Sequence, residues 1–144
     1  MRVYFDTSVL IAAVVGSHPA HIQASRALKV AHEKQFQAFA STHGLAEMYA
    51  VLTRLPLRPA IYPAEAWQLI TRNVLLSFEV IALGAEDYRS ALKLSADRGW
   101  MGGKIYDVLH IVAAQKSECE HLYTYNLRHF QELAGNWADR LRMP

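Results

Sequence analysis

Short apolar segments alternate with longer amphipathic segments along this chain of 144 residues. The short segments are rich in β-branched and aromatic residues and predict strands at 3–5, 37–42, 78–83 and 121–124, with a further edge strand at 139–143. Apolar residues at helical spacing predict helices at 9–15, 20–33, 43–54, 64–75, 85–96, 106–118 and 127–133. This alternation predicts an α/β fold with three layers, α/β/α, around a mainly parallel sheet of four to five strands. We expect a single domain over residues 1–144.

The composition is that of a compact domain, because 52% of the residues are hydrophobic and only 19% are charged. The net charge of +2 permits an anionic partner without requiring one. The single cysteine excludes an internal disulfide framework and fits a reducing compartment. The apolar run 9–15 is too short for a membrane span of about 20 residues, and an acid precedes it where a signal peptide has none. These features predict a cytoplasmic protein with no membrane partner.

Asp6 follows the first predicted strand directly. Ligands of open α/β sheets bind at the carboxyl ends of the strands, so this position suits a functional carboxylate. The simpler interpretation is a capping role, in which Asp6 accepts hydrogen bonds from the amides that open the next helix. Thr7 and Ser8 could cap that helix equally well.

Two further acids lie on predicted helices. Glu47 lies on a helix that is apolar on most of its circumference, so a partly enclosed carboxylate competes with the usual solvated glutamate. Asp107 opens a helix whose next residues are almost all apolar. An acid tolerated there is paired, caps the amides or holds a metal. His110 lies on the same side of that helix, so the pair could form a metal motif, but Asp-x-x-His alone is a weak signal and a hydrogen-bonded core histidine is the simpler interpretation.

The last main strand is followed by Thr124-Tyr-Asn126, and Asn126 is placed to cap the short helix that comes next. Each of these signals is weak alone. Their order along the chain is more specific: an acid after the first strand, an acid in the third helix, an acid at the head of a late apolar helix, and Thr-x-Asn after a late strand.

With these motifs the sequence resembles the PIN-domain ribonucleases, and within them the VapC toxins of toxin–antitoxin pairs. The stretches that carry the resemblance are Val3-Tyr-Phe-Asp-Thr-Ser8, Leu45-Ala-Glu-Met48, Tyr106-Asp-Val-Leu-His110 and Thr124-Tyr-Asn-Leu-Arg-His-Phe130. Many relatives carry a fourth aspartate where this chain has Asn126. Because an asparagine brings no negative charge, this difference weakens the case for a second tightly held metal.

The resemblance implies a metal-dependent endoribonuclease, the toxin of a type II toxin–antitoxin system. Hard oxygen ligands favour Mg²⁺ or Mn²⁺ over zinc or copper. The residues implied as catalytic are Asp6, Glu47, Asp107 and Asn126. Asp6 and Asp107 would be the principal metal ligands, with Glu47 bound directly or through water. Ser8 and Thr124 would support these carboxylates.

The resemblance also implies an RNA substrate, a cognate antitoxin protein and a homodimer. Lys104, Arg54 and Arg128 are candidate RNA contacts, although solvated surface charge is the simpler interpretation of each.

Two other functions remain open from the residues alone. A catalytically weak PIN-like module that binds RNA or protein is compatible with Asn126. A phosphatase with Asp6 as nucleophile, as in haloacid-dehalogenase enzymes, is disfavoured because Ser8 stands where those enzymes have a second aspartate.

Overall fold

The computed structural model describes residues 1–144. Its strands are β1 (Arg2–Phe5), β2 (Gln37–Ser41), β3 (Glu79–Ile81), β4 (His121–Tyr123) and β5 (Leu141–Arg142). Its helices are α1 (Thr7–Val14), α2 (His21–Glu33), α3 (Thr42–Arg54), α4 (Pro63–Ile70), α5 (Ala85–Arg98), α6 (Lys104–Lys116) and α7 (Leu127–Ala134). A π-helical turn, Thr71–Leu75, continues α4, and a 3₁₀ turn, Gly135–Arg140, leads into β5.

The five strands form one sheet in the order β3-β2-β1-β4-β5, and every neighbouring pair is parallel. β1 is therefore central and buried, which explains its uninterrupted apolar sequence. The short pair β4–β5 confirms that the tail adds an edge strand.

Alternation along β1 divides the interior into two cores. Val3 and Phe5 face the core that α1, α2, α3 and α4 cover, whereas Tyr4 faces the core under α5, α6 and α7. The observed arrangement confirms the predicted three-layer α/β/α architecture. No helix of this fold has the length and apolar character needed to cross a bilayer.

Helix boundaries differ from the predicted ones mainly where a polar residue or a glycine sets the start. α1 begins at Thr7, because Asp6 rather than Thr7 or Ser8 is the N-cap. α6 begins at Lys104, two residues before the predicted start, directly after a loop in which Gly102 has a left-handed φ of 60°.

Candidate active site

Asp6 is held rigidly at the carboxyl end of the central strand. Its backbone N–H donates to the carbonyl of Tyr123 on β4 (3.1 Å), which continues the parallel ladder by one residue. Its Oδ1 accepts from the backbone N–H of Val9 (3.2 Å) and from Ser8 Oγ (2.6 Å). Its Oδ2 accepts from Thr124 Oγ1 (2.7 Å). The carboxylate therefore caps α1 and at the same time joins two neighbouring strands.

The two hydroxyls that contact Asp6 are fixed by the loop after β4. Ser8 Oγ accepts from the backbone N–H of Tyr125 (3.0 Å), and Thr124 Oγ1 accepts from the backbone N–H of Asn126 (2.9 Å). Each hydroxyl uses its single hydrogen on Asp6 and its lone pair on the loop. The carboxylate oxygens are thus aimed by a hydrogen-bond network that spans the sheet edge.

Burial raises the pKa of Asp6, and the positive charge of His110 together with the hydrogen bonds from Ser8 and Thr124 opposes that rise. Asp107, in the first turn of α6, is half-buried. Burial raises the pKa of Asp107 to about 6; His110 opposes the rise, and the negative charges of Asp6 and Glu47 add to it. Asp6 and Glu47 therefore influence Asp107 electrostatically, and ionisation is unfavourable for Asp6 and Asp107.

Asp107 differs from Asp6 in having no hydrogen-bond donor on its carboxylate. It lies in the first turn of α6, and the helix that follows it buries Val108, Leu109 and His110. A half-buried carboxylate of raised pKa with no donor is not explained by the stability of the fold.

Glu47, in the second turn of α3, is partly enclosed and contacts two imidazoles. His110 Nε2 lies 3.1 Å from Glu47 Oε1, and His43 Nε2 lies 3.4 Å from Glu47 Oε2. Burial alone would raise the pKa of Glu47, but the hydrogen bond from His110 and the proximity of His43 hold it well below its usual range. Glu47 is consequently an ionised carboxylate even where Asp107 resists ionisation.

His110 is a buried histidine with partners on both ring nitrogens. Its Nδ1 lies 2.8 Å from the Tyr4 hydroxyl, and its Nε2 lies near Glu47 and 3.3 Å from Thr7 Oγ1. It is the hydrogen-bonded core histidine expected from the sequence. Burial lowers the pKa of His110, but the hydrogen bond and charge of Glu47 and the charges of Asp6 and Asp107 outweigh burial and raise it overall.

The other residues predicted for the site lie nearer the surface. Asn126 is the N-cap residue of α7, but its exposed side chain makes no capping hydrogen bond. The Lys104 ammonium pairs with Glu132 at 3.1 Å, and both side chains are exposed. Arg54 and Arg128 are exposed. Arg54 lies seven residues beyond Glu47 along α3, or about 10 Å at the rise of an α-helix.

The sequence analysis missed His43 and the hydroxyl of Tyr4. For His43 there was a signal, because His43 and Glu47 are four residues apart and so share one face of α3. For Tyr4 there was none, because its partner His110 is 106 residues away on a helix of another layer.

A large cleft lies elsewhere in the molecule. It measures about 740 Å³ and is lined by α2, β2 and the π-helical turn, with none of the predicted acids among its residues. Its volume is therefore no guide to the chemistry, which depends on the donor set at the sheet edge.

Carboxylate oxygens are the donors that a hard divalent cation prefers. Burial opposes the ionisation of both Asp6 and Asp107, and the negative charge of Asp6 adds to the effect at Asp107, so a cation bound beside them would reduce that cost. Asp6 has oxygen lone pairs to spare, since each carboxylate oxygen can accept more than one contact.

Comparison with known proteins agrees with this description. The PIN domain family model matches residues 3–136. Ribonuclease VapC27 of Mycobacterium tuberculosis is 33% identical over 115 residues, which cover 80% of this chain and 78% of the relative. Ribonuclease VapC40 of the same species is 32% identical over 123 residues, covering 85% of each chain.

Two solved structures share the fold. The crystal structure of Mycobacterium tuberculosis VapC20, described as a toxin that cleaves the sarcin–ricin loop, superposes with a TM-score of 0.70 at 16% identity, over 88% of this chain and 92% of that one. VapBC2 of Rickettsia felis, solved bound to a DNA fragment from its promoter, gives a TM-score of 0.70 at 18% identity, over 100% of this chain and 99% of the matched chain. At this identity the structures establish the fold, while the family match and the two sequence relatives establish the relationship. The chain belongs to the PIN-domain family and, within it, to the VapC-type ribonucleases.

Proposed function

We propose that this VapC-type toxin ribonuclease hydrolyses RNA phosphodiester bonds with Mg²⁺, or Mn²⁺, held by the acids at the sheet edge. The observation that carries the proposal is Asp107, a half-buried carboxylate with no hydrogen-bond donor whose pKa of about 6 is raised by burial and by two neighbouring acids. Such a group costs stability in the free protein and becomes favourable when a cation binds.

In this proposal Asp6 and Asp107 are the principal metal ligands, and Glu47 binds directly or through a water. When bound, the cation supplies an acidified water and neutralises charge on the scissile phosphate. Ser8 and Thr124 keep the Asp6 oxygens in fixed directions, so Asp6 need not reorganise when the substrate arrives. Asn126 has a free amide group at the exposed rim, suited to orienting a water or a phosphate oxygen.

Lysine and arginine side chains around the acidic centre, which comprises Asp6, Glu47 and Asp107, would bind the RNA backbone. Lys104 would exchange its exposed partner Glu132 for a phosphate, at little cost because exposed ion pairs contribute at most about 1 kcal/mol. Arg128 lies in the first turn of α7, close in sequence to Asn126. Arg54 is farther along α3 and would contact a more distant phosphate.

We further propose that the chain is one domain in the cytoplasm, that it forms a homodimer, and that a cognate antitoxin neutralises it. Large exposed apolar side chains on three different helices supply surface that such partners would cover; they are Ile22, Trp67 and Leu92. The VapBC2 neighbour supports the antitoxin, since its structure contains the complex of that pair.

The decisive experiment compares wild type with Asp107→Ala and the control Asp97→Asn on a structured RNA in Mg²⁺, in Mn²⁺ and in chelator. Asp97 is an exposed aspartate of α5, paired with Lys93. We expect wild type and Asp97→Asn to cleave only with metal, and Asp107→Ala to lose at least about 100-fold in rate, because the variant lacks a metal ligand.

Equal cleavage by wild type and Asp107→Ala would indicate a contaminating nuclease and refute the proposal. RNA binding without cleavage in any variant would favour the non-catalytic binding module.

A further inference from the structure

We propose that His43, Glu47 and His110 form a second divalent-metal site, one that takes a transition metal of the zinc type and shares Glu47 with the acidic centre. The nearest donor atoms of these three residues all lie within 4.8 Å of one another. Asp6 and Asp107 do not belong to this group. The site is therefore distinct from the carboxylate pair assigned to Mg²⁺. Competition between the two sites for Glu47 rests on the proposed function.

The donor chemistry selects the metal. Two imidazole nitrogens with one carboxylate suit zinc, cobalt or nickel, whereas Mg²⁺ prefers oxygen ligands and keeps its waters. In a tetrahedral zinc site with bonds of about 2.1 Å, neighbouring donors are about 3.4 Å apart. The two separations that involve Glu47, 3.1 Å to His110 and 3.4 Å to His43, are already close to that value.

The contacts behind the ligands are those of a metal site. The Tyr4 hydroxyl lies 2.8 Å from Nδ1 of His110 and so fixes that ring with Nε2 pointing at Glu47. The ring of His43 stacks on Tyr106 with centroids 5.3 Å apart and an interplanar angle of 8°. Tyr4 thus orients His110 through Nδ1, and Tyr106 orients His43 through the ring face. Both contacts leave Nε2 of the histidine available to a metal.

His43 Nε2 supplies an independent observation. This nitrogen is buried and makes no hydrogen bond, although it lies 3.4 Å from Glu47 Oε2. A buried polar atom without a partner costs free energy. A metal between His43 and Glu47 would satisfy it.

The route to the site passes His43 and Glu47. Their side chains are 13% and 29% exposed, while that of His110 is 2% exposed. An ion would therefore meet Glu47 and His43 before it reaches His110.

Sharing Glu47 has a regulatory consequence. Oε1 of Glu47 lies near His110 and Oε2 lies near His43, so an ion bound by the two histidines would occupy the Glu47 carboxylate. Glu47 would then no longer be available to a metal held by Asp6 and Asp107. Zinc would then weaken binding of Mg²⁺ or Mn²⁺ and slow RNA cleavage without contacting Asp6 or Asp107.

The test titrates Zn²⁺, and Co²⁺ as a coloured probe, into the full chain purified without a histidine tag. The variants are His43→Gln, Asp107→Ala and the matched control His32→Gln, a histidine of α2 that lines the distant cleft. Calorimetry gives the zinc affinity, the visible bands of Co²⁺ report nitrogen ligation, and thermal unfolding checks that each variant folds.

We expect His43→Gln to weaken zinc binding at least about tenfold and to abolish the Co²⁺ bands, because loss of even an outer partner of a ligand costs 10 to 100-fold. His32→Gln and Asp107→Ala should bind zinc as wild type does. Equal binding by wild type and His43→Gln would overturn the site. Loss of binding in Asp107→Ala to the extent seen in His43→Gln would overturn it too, since the zinc would then sit at the acidic centre.

Competition is measured by titrating Mn²⁺ into wild type with and without one equivalent of zinc. We expect a severalfold weaker Mn²⁺ affinity in the zinc-loaded protein, and little change in His43→Gln treated alike. Unchanged Mn²⁺ affinity would refute the sharing of Glu47. RNA cleavage enters neither titration, and the zinc titration stays decisive even if the proposed Mg²⁺ site fails, whereas the competition experiment requires that wild type binds Mn²⁺.

Discussion

Asp6 and Asp107 are the two principal metal ligands of the proposed site, and the fold gives them opposite surroundings. Asp6 is buried and accepts hydrogen bonds from a helix amide and two hydroxyls. Asp107 is only half-buried and accepts none. Burial raises the pKa of both carboxyls, but only for Asp6 do hydrogen bonds from the protein offset part of the cost.

This difference separates a structural role from a functional one. Asp6 would be explained by the fold even in a protein without activity, because it caps α1 and joins β1 to the loop after β4. Asp107 has no such explanation. A polar group that the fold leaves without partners is better evidence of a ligand than one that the fold satisfies.

The largest effect on stability should follow replacement of Asp6. Asp6→Ala removes the cap of α1 and leaves the buried Thr124 hydroxyl without its acceptor. We expect a loss of about 3 kcal/mol in the free energy of unfolding, from a lost cap and an unsatisfied buried group together. Urea unfolding in chelator measures it, with Asp107→Ala as the comparison. A loss as large for Asp107→Ala would end the distinction between the two acids.

The opposite sign is expected for Asp107→Asn in the metal-free protein. The folded-state pKa of Asp107, about 6, lies above its usual value of 3.8, so its ionised form opposes folding. That destabilisation is absent below pH 3.8, develops as the pH rises to 6 and is complete above it. After allowance for solvent screening, Asp107→Asn should gain about 1 to 2 kcal/mol at pH 8.

Urea midpoints of wild type and Asp107→Asn in chelator, compared at pH 4 and pH 8, check this sign. The two proteins should differ little at pH 4 and diverge at pH 8. Divergence at pH 4 alone would contradict the account. Added Mg²⁺ should raise the stability of wild type and leave Asp107→Asn almost unchanged, because the variant has lost the charge that the ion neutralises.

The smallest effect on stability is expected at Asn126. Its side chain is exposed and makes no capping hydrogen bond, so Asn126→Asp should change the free energy of unfolding by less than about 0.5 kcal/mol. The added charge should nevertheless tighten Mn²⁺ binding severalfold. Unchanged affinity in calorimetry would place this side chain outside the reach of the bound ion.

The architecture could be predicted from the sequence because it depends on the periodic spacing of apolar residues. Short β-branched runs between amphipathic helices predict a parallel sheet with helices on both faces, and the structure confirms this arrangement. Because the carboxyl ends of parallel strands meet at one edge of the sheet, Asp6 and Thr124 come into contact although they are far apart in the sequence. The roles of the acids in binding a metal stay predictions.

What the sequence did not supply is which competing polar residue makes each contact. Asp6, Thr7 and Ser8 can all cap a helix, and in the structure Asp6 is the N-cap of α1. His43 and Glu47 show helical spacing, but nothing in the sequence indicates that His110 approaches the same carboxylate from another layer. Such contacts depend on the distance between helices, which is set by the side chains of the two cores.

The central place of β1 also determines when the site exists. β1 is synthesised before its neighbour β4, and the Thr124 hydroxyl that contacts Asp6 is encoded more than a hundred positions later. The Asp6 carboxylate can be ordered, and α6 can approach it, only when the chain through Thr124 is available to fold. A chain interrupted before β4 therefore contains Asp6 but lacks the Thr124 hydroxyl that fixes its carboxylate.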